Sequence, residues 1–211
     1  MSSGVPPGVR RLRDQHAAAT RRTILQAARV LFAERGYAAT PIRLLAQQAG
    51  VAVQTIYDTF GSKAGIFQGL PDLLDEEARV FEIVEEIDRT EVPEELFALH
   101  ARLRRRIREQ CGDIVRVLRS GSASNAEIAA TLAEGLRRRR FGLQRIMERV
   151  ASYGILREDL SAQRAADIAS AVVSDEVCDI LVEEGKWSFD DYESWIRSTL
   201  TTLLLRDATK P

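Results

Sequence analysis

A short run of polar and aromatic side chains between Val53 and Lys63 has the composition of a surface that contacts nucleic acid. Gln54 can form a bidentate hydrogen bond to adenine, and Thr55 can offer its hydroxyl to a base or a phosphate. Val53 can pack against a thymine methyl group, while Tyr57 and Lys63 are expected to bind phosphate oxygens. Simple helix packing is the alternative role for Thr55 and Tyr57. The run predicts base reading and phosphate anchoring side by side.

Residues upstream of this run extend the predicted contact surface. Thr40 is expected to bind a phosphate together with the amino end of the helix that follows it, and Arg43 is a further phosphate candidate. Arg10, Arg11 and Arg13 have two interpretations, either a basic arm that enters a minor groove or a solvated tail.

The spacing of Pro41–Lys63 predicts two short helices joined by a tight turn. Counted from Ile42, a small Ala46 is fifth, Gly50 is ninth and Ile56 is fifteenth. Ala46 allows the helices to approach closely, Gly50 can adopt the left-handed backbone of a sharp turn, and Ile56 closes the small core. Such a helix-turn-helix places its second helix in the major groove of DNA.

The charge distribution agrees with this placement, although the formal net charge is only −1. Residues 1–63 contain nine Lys or Arg against three acidic residues, whereas the remainder contains 21 against 28. A basic first third indicates that this part alone contacts a polyanion. The arginine runs at 104–106 and 137–140 have acidic neighbours, so they predict solvated helix faces rather than a second nucleic-acid site.

Composition excludes several other classes of protein. The 211 residues are 45% hydrophobic and 29% charged, with no apolar run near the ~18 residues of a membrane span. The first residues lack the apolar core of a secretory signal, so we expect a cytoplasmic protein. Cys111 and Cys178 are far apart and the chain has two histidines, so no metal site and no cofactor is expected. No catalytic motif is present, and no catalytic residue is assigned.

Apolar periodicity predicts an all-α protein with nine to ten helices. We expect a flexible basic arm at 1–15, a three-helix helix-turn-helix domain at 16–63, and a helical ligand-binding and dimerisation domain at 64–211. The predicted helices span about 17–35, 41–48, 52–58, a short piece from 63, 73–87, a helix from 93, 113–119, a helix from the 121–125 loop to Gly154, 161–184, and a helix from 188.

The predicted helix ends rest on local signals. Thr40 is expected to cap the second helix with Pro41 at its first position, and Ser62 and Ser188 to cap later helices. Gly36 is expected to end the first helix. The stripes on the last two predicted helices are broader than one core contact needs. Either these helices lie deep in one bundle or they also face a second subunit, and we favour the subunit.

Residues 20–67 resemble the TetR/AcrR family of one-component transcriptional regulators. The matching elements are the LF-x-E-x-GY end of the first helix, A-x-x-AGV, the T-I-Y tip and the F-x-SK close. The resemblance implies a homodimer built from the last two long helices of each subunit, a palindromic double-stranded operator, usual repression, and release by a small molecule. Three positions depart from the family pattern: Thr59 replaces a frequent His, Ala64 a frequent acid, and Gln54 a frequent Gly.

The candidate ligand-binding residues form a less specific pattern than the DNA-binding motif. Eight residues are candidates to line a cavity between the fourth and eighth helices, and plain core packing is their alternative role. They are Phe67, Leu70, Phe81, Leu99, His100, Leu103, Cys111 and Val115. Their composition indicates an apolar or amphipathic ligand.

These patterns together predict a dimeric, sequence-specific DNA-binding regulator that an unknown effector releases. Two other functions remain open. One is a helical enzyme that carries a helix-turn-helix appendage, and the other is an architectural DNA binder without sequence preference.

Overall fold

The computed structural model describes residues 7–122 and 126–206, with side chains from residue 11 onward. In these ranges the regular structure is helical, apart from one isolated β-bridge, which confirms the all-α prediction. The helices are α1 (Pro7–Arg35), α2 (Ile42–Ala49), α3 (Val53–Phe60), α4 (Lys63–Gln68), α5 (Leu70–Glu77), α6 (Val80–Arg89), α7 (Pro93–Gly121), α8 (Ala126–Ser152), α9 (Ala162–Val172), α10 (Asp175–Cys178), a π-helix (Asp179–Glu184) and α11 (Phe189–Leu204).

The chain divides into two compact units. The first comprises the residues up to Leu73 together with Asp113–Leu132, and the second comprises Leu74–Gly112 and the residues from Ala133 onward. Segments 64–73 and 113–132 therefore group with the amino-terminal helices. The predicted boundary between a DNA-binding domain and a ligand domain stays a prediction.

The core of the first unit is built on one face of α1. Ile24, Ala28, Leu31 and Phe32 follow the helical spacing of an apolar stripe, and all four are buried. Side chains from the other helices of this unit are also buried, namely Leu45, Ala46, Ala49, Ile56, Ala64, Ile66, Phe67, Leu70, Leu73, Ile114, Val117 and Ile128. This core holds the short helices α2 and α3, which are too short to be stable alone.

The start of α1 differs from the prediction. We expected a flexible arm over 1–15, but the helix begins at Pro7, so this prediction is wrong for 7–15. No Gly or Pro follows Gly8 in this segment, and Ala17, Ala18 and Ala19 favour helix. The remainder of the predicted arm, at 1–6, lies outside the described residues.

The second unit has its own core, to which α11 contributes an unbroken stripe. Tyr192, Ile196, Leu200 and Leu204 recur every fourth residue, and each is fully buried. They belong to one apolar cluster with residues of α6, α7, α8 and α9, including Ile83, Leu96, Phe97, Ala101, Leu143, Met147, Val150, Ala165 and Ala169. An antiparallel bridge between Leu156 and Leu205 ties the end of α11 to the segment after α8.

Two predicted helices are interrupted in the structure. The helix expected at 73–87 breaks at Arg79, which adopts the left-handed conformation with φ 50° and ψ 46°. The helix expected at 161–184 stops at Val172, and Ser174 caps α10 by accepting from the Val177 N–H. Neither break is marked by a Gly or Pro in the sequence. The prediction rested on apolar periodicity alone and therefore gave one continuous helix in each case.

Two other predicted helices, from 93 and over 113–119, form the single element α7. Its backbone is non-helical only at Cys111, where φ is −132° and ψ is 21°. Of the loop predicted at 121–125, Gly121 ends α7 and residue 122 forms a turn, whereas 123–125 lie outside the described residues.

Within the described part of the chain, no helix combines the length and the apolar character required to cross a membrane.

Candidate nucleic-acid interface

The turn between α2 and α3 has the geometry that the spacing predicts. Gly50 adopts the left-handed conformation with φ 66° and ψ 30°, which side-chain-bearing residues rarely do. The Val51 N–H donates to the Ala46 carbonyl over 3.0 Å and closes the turn. Ala46 and Ile56 are buried, so the small core between the two helices is confirmed. Ala52 precedes α3 without a side-chain cap.

Helix α3 exposes three of its five polar side chains. Ile56 is its one buried residue, whereas Gln54 and Tyr57 are exposed and Val53 and Thr55 are half-buried. Tyr57 leaves 46% of its surface open to solvent. Because Ile56 is the one buried residue of α3, the exposed side chains of this helix present a polar face to an external partner.

Asp58 is a component of this face that sequence reasoning missed. The Gln54 Nε2 donates to the Asp58 Oδ1 over 2.8 Å, one helical turn away. The Asp58 carboxylate adds negative charge to the face where phosphates would lie. The Gln–Asp spacing of four residues is the signal that could have identified it.

Thr59 uses its hydroxyl within α3. Its Oγ1 donates to the Thr55 carbonyl over 2.7 Å, a back-bond typical of helical threonine. The family pattern frequently has a His at this position, and here the threonine hydroxyl is occupied inside the helix.

Lys63 is held at the start of α4. Its Nζ donates to the Tyr37 carbonyl over 2.9 Å and lies 4.2 Å from the centroid of the Tyr37 ring. Burial lowers the pKa of Lys63. Ser62 caps this helix as predicted, by accepting from the Gly65 N–H over 3.0 Å. A role for Lys63 at a phosphate stays a prediction.

Thr40 has a different role from the one predicted. It is fully buried, and its Oγ1 donates to the Gly36 carbonyl over 2.8 Å and to the Leu31 carbonyl over 3.3 Å. Its side chain is therefore unavailable to a phosphate, and the helix begins one residue later, with Pro41 in the capping position. Arg43, in the first turn of α2, is exposed.

The eight predicted ligand residues do not form one group in the structure. Phe67, Leu70 and Val115 belong to the first unit, where Phe67 packs against the rings of Phe32 and Tyr37 with centroids 5.9 and 5.5 Å away. Plain core packing thus accounts for Phe67. The other five residues, Phe81, Leu99, His100, Leu103 and Cys111, belong to the second unit.

Within the second unit, Phe81 lies on the surface with 67% exposure, so it lines no enclosed cavity. His100, Leu103 and Cys111 are buried, and Leu99 is half-buried. A ligand role for these four residues stays a prediction.

The structure corrects the expectation that both arginine runs lie on solvated helix faces. The prediction of solvated faces holds for three of the four arginines at 137–140, but Arg139 is largely buried. Arg104 is also buried, with 7% of its side chain exposed, and both arginines contact Asp175. The signal in the sequence is the one-turn spacing of His100, Arg104 and Arg108 within an otherwise apolar stripe.

The described residues contain no group of three or more His, Cys, Asp or Glu side chains arranged to hold a metal ion.

Comparison with known proteins identifies the amino-terminal helices. Residues 24–70 match the family described as bacterial regulatory proteins, tetR family. This range contains the whole α2–turn–α3 unit and the packing face of α1. No curated protein matches the chain.

Solved structures extend the likeness to the whole fold. A protein from Syntrophomonas wolfei described as a TetR-family transcriptional regulator is 22% identical, with a TM-score of 0.72 over 88% of this chain and 95% of that one. A transcriptional regulator from Saccharomonospora viridis in complex with choline is 20% identical, with a TM-score of 0.72 over 90% of this chain and 100% of that one. The regulator FadR from Bacillus subtilis in complex with stearoyl-CoA is 23% identical, with a TM-score of 0.70 over 84% and 96%.

Proposed function

The chain belongs to the TetR family, and from that premise we propose that it is a homodimeric repressor that binds a palindromic operator through α3. A small-molecule effector bound in the second unit releases it. The observation that carries this proposal is the exposed polar face of α3 on a helix-turn-helix with a left-handed Gly50. Catalysis has no part in the proposal.

The assignment of contacts on DNA follows the chemistry of each side chain. Gln54 reads adenine, Val53 contacts a thymine methyl, and Thr55 serves a base or a phosphate. Tyr57, Arg43 and Lys63 bind phosphates and fix the register of α3 in the groove. The exposure of Gln54, Tyr57 and Arg43 supports these roles.

The charge distribution also supports an orientation in which the amino-terminal part of the chain faces DNA. Residues 1–63 carry the basic excess, so the operator approaches this part of the chain, and the acidic remainder is repelled by phosphates. Because such binding releases counterions, the affinity falls as salt rises.

Exposed apolar residues near the carboxyl-terminal helices support the homodimer. Ile180, Trp187 and Leu203 are exposed, and the rings of Trp187 and Trp195 pack edge to face with centroids 6.4 Å apart. Trp195 and Leu203 lie on one side of α11 at helical spacing. Burying these side chains against a second copy removes apolar surface from water.

Small-molecule complexes of structural neighbours support an effector. The Saccharomonospora viridis protein binds choline and FadR binds stearoyl-CoA. In this chain the effector favours a state in which two copies of α3 no longer match successive major grooves about 34 Å apart.

DNA binding is tested with the intergenic DNA upstream of the chain's own gene. A Gln54→Ala, Tyr57→Ala double variant is compared with the wild type by fluorescence anisotropy across a salt series. We expect specific affinity to fall by more than tenfold, since a base contact and a phosphate contact are lost.

The second unit offers a matched control for this experiment. Gln163 donates to Asp167 at the same spacing as the Gln54–Asp58 pair, and Tyr153 is exposed to a similar extent as Tyr57. A Tyr153→Ala, Gln163→Ala variant should bind like the wild type. Wild-type binding no more specific or salt-sensitive than that of the α3 variant contradicts the proposal.

A further inference from the structure

The first turns of α1 project beyond the core of the first unit. The helix begins at Pro7, yet the first buried side chain among those described is Ile24. Residues 11–19 are all exposed. We name residues 7–20 the helical extension. It precedes residues 24–70, so the family match does not account for it.

The helical extension is helical without packing of its own. It continues the packed part of α1, so each added residue gains a hydrogen bond and no new nucleus is needed. Ala17, Ala18 and Ala19 favour this continuation through their helix propensity. Since the side chains at 11–19 are exposed, they bury no apolar surface that would stabilise the core. They are open to an external partner.

The helical extension has a net positive charge when every charged residue in it is counted. Arg10, Arg11 and Arg13 stand against one acid, Asp14, which leaves a formal charge of +2 with His16 neutral. Asp14 lies one helical turn from Arg10 and Arg11 and offsets one of them. Arg13 has no acid three or four residues away in either direction. An excess of arginine favours a polyanion as the partner.

The base of the helical extension lies against the end of α3. The Arg21 guanidinium lies 4.7 Å from the centroid of the Phe60 ring, and Phe60 is the last residue of α3. Arg21 itself pairs with Asp72 over 2.8 Å, so the excess charge belongs to the turns before it. Residues 7–20 span about 21 Å, the length of about six base pairs. A duplex held by α3 therefore comes within reach of the extension.

The helical backbone excludes one interpretation of Arg11 and Arg13, the arm that enters a minor groove. An α-helix with its side chains is about 10–12 Å across, whereas the minor groove of B-DNA is about 6 Å wide. The extension is too wide for that groove, and the nearest acceptors outside it are phosphate oxygens. Arg11 and Arg13 are two residues apart, which places them on opposite sides of the helix.

We propose that the helical extension binds the phosphate backbone of operator DNA through Arg11 and Arg13, with one phosphate for each. A guanidinium presents a fork of donors that suits a phosphate, and neither contact carries sequence information. The extension thus adds affinity to the complex, whereas α3 supplies its specificity. This inference rests on the proposed function, because the operator is the DNA that α3 holds.

Salt dependence measures the two contacts directly. Fluorescence anisotropy compares the wild type with an Arg11→Gln, Arg13→Gln double variant, the α1 variant, on the operator and on a duplex of random sequence. The slope of log affinity against log salt should become shallower by about 1.8, since each lost phosphate contact accounts for about 0.9. Both duplexes should lose affinity by the same factor, roughly tenfold at low salt.

Two arginines of α8 supply the matched control. Arg138 and Arg140 have the same two-residue spacing, and their side chains are 64% and 68% exposed. An Arg138→Gln, Arg140→Gln variant loses the same charge from the second unit and should keep the wild-type slope. An unchanged slope in the α1 variant, or an equal change in both variants, overturns the proposal.

The sequence of the flanking DNA distinguishes phosphate contacts from groove reading. Operator duplexes with flanks of only A·T or only G·C pairs differ in the minor groove and share the same phosphates. The α1 variant should lose the same affinity on both duplexes. A loss confined to one kind of flank means that the arginines read the groove, which overturns the proposal.

Ala18→Pro tests whether the arginines act from a helix. Proline interrupts α1 at this point and leaves every charge and every described buried side chain of the first unit in place. We expect it to reduce the helical signal in far-UV circular dichroism and to weaken DNA binding as the α1 variant does. Ala18→Ser keeps the helix continuous and should bind like the wild type. Wild-type affinity of Ala18→Pro contradicts a helical contact.

A second copy of the chain offers another anionic surface, because the residues after 63 are acidic in sum. Sedimentation equilibrium without DNA should give the same dimer affinity for the wild type and the α1 variant. A weaker dimer in the α1 variant assigns the extension to the second copy and overturns the proposal.

The outcomes separate this inference from the proposed function. Specific binding that Gln54→Ala, Tyr57→Ala abolishes and the α1 variant retains in full supports the regulator and contradicts the role of the extension. Unspecific binding whose salt slope depends on Arg11 and Arg13 supports the extension and contradicts the regulator. No binding to any duplex contradicts both.

Discussion

Helix α3 buries only Ile56 and turns its polar side chains to solvent, whereas α7 buries His100, Arg104 and Arg108 within the second unit. The polar groups of α3 keep their hydration until DNA arrives, so replacing them alters binding and leaves folding nearly untouched. The polar groups of α7 have already lost their hydration, so their partners decide the stability of the unit. Four experiments test this contrast.

The largest effect is expected at Asp175, which neutralises both Arg104 and Arg139. Asp175→Asn leaves two guanidinium groups without their shared carboxylate in a buried setting. We expect the free energy of unfolding in urea to fall by about 3–5 kcal/mol. Asp167→Asn, at an exposed pair with Arg140, should change it by less than ~0.5 kcal/mol. Similar losses for the two variants would contradict the contrast.

A pH series examines His100 in the same stripe. Its pKa is 6.5 when unperturbed and about 3 in the folded chain. The unfolded state therefore binds more protons between these values, and stability that is present above pH 6.5 is lost as the pH falls. We expect the free energy of unfolding to decrease by up to ~1.4 kcal/mol per pH unit below 6.5.

Urea denaturation at pH 7, 6 and 5 checks this slope. His100→Gln should remove the contribution, whereas His16→Gln, at an exposed position of α1, should retain it. If the His100→Gln and wild-type profiles run parallel, His100 titrates in the folded chain as it does in water.

Alanine substitutions at two glycines, one in each unit, compare how tightly the backbone is packed at the two positions. A Cβ on Gly65 in the first unit would lie 2.1 Å from the Phe60 backbone oxygen, whereas one on Gly135 in α8 meets nothing within 4 Å. Gly65→Ala should destabilise the protein by ~1–3 kcal/mol through overpacking. Gly135→Ala should stabilise it by ~0.5–1 kcal/mol through helix propensity. Thermal melts giving shifts of the same sign would show that the close approach at Gly65 is relieved cheaply.

The smallest effect is expected at Asp58, on the exposed face of α3. Asp58→Asn removes a negative charge from the proposed DNA surface and keeps an oxygen for the Gln54 amide. We expect DNA affinity to rise about twofold to fivefold at low salt and stability to stay unchanged. Anisotropy titrations measure the affinity, with Asp167→Asn as the control. A loss of affinity would mean that Asp58 orients Gln54 for base reading.

Local signals in the sequence predicted much of this fold. The left-handed Gly50, the Ser62 cap and the Ser188 cap on Asp191 each depend on residues within four positions, and all three are confirmed. The buried stripe of α1 is also confirmed, because its apolar residues recur in consecutive helical turns.

Features that depend on residues far apart in the chain could not be predicted from the sequence. Arg104 is buried because Asp175 lies 71 residues along the chain, and no local pattern reveals that pair. Thr40 looks like a helix cap, yet its hydroxyl bonds back to Leu31 and Gly36 across the end of α1. Arg79 adopts a left-handed backbone without the glycine that usually marks one.

The burial of both native thiols has a practical consequence for spectroscopy. Cys111 and Cys178 are fully enclosed and form no disulfide, so bulky maleimides will find no native target on the folded chain. A single cysteine introduced at exposed Gln48 on α2 therefore becomes the one attachment point for a spin label. In a homodimer, pulsed dipolar measurements on that variant would report the separation between the two α2 helices with and without DNA.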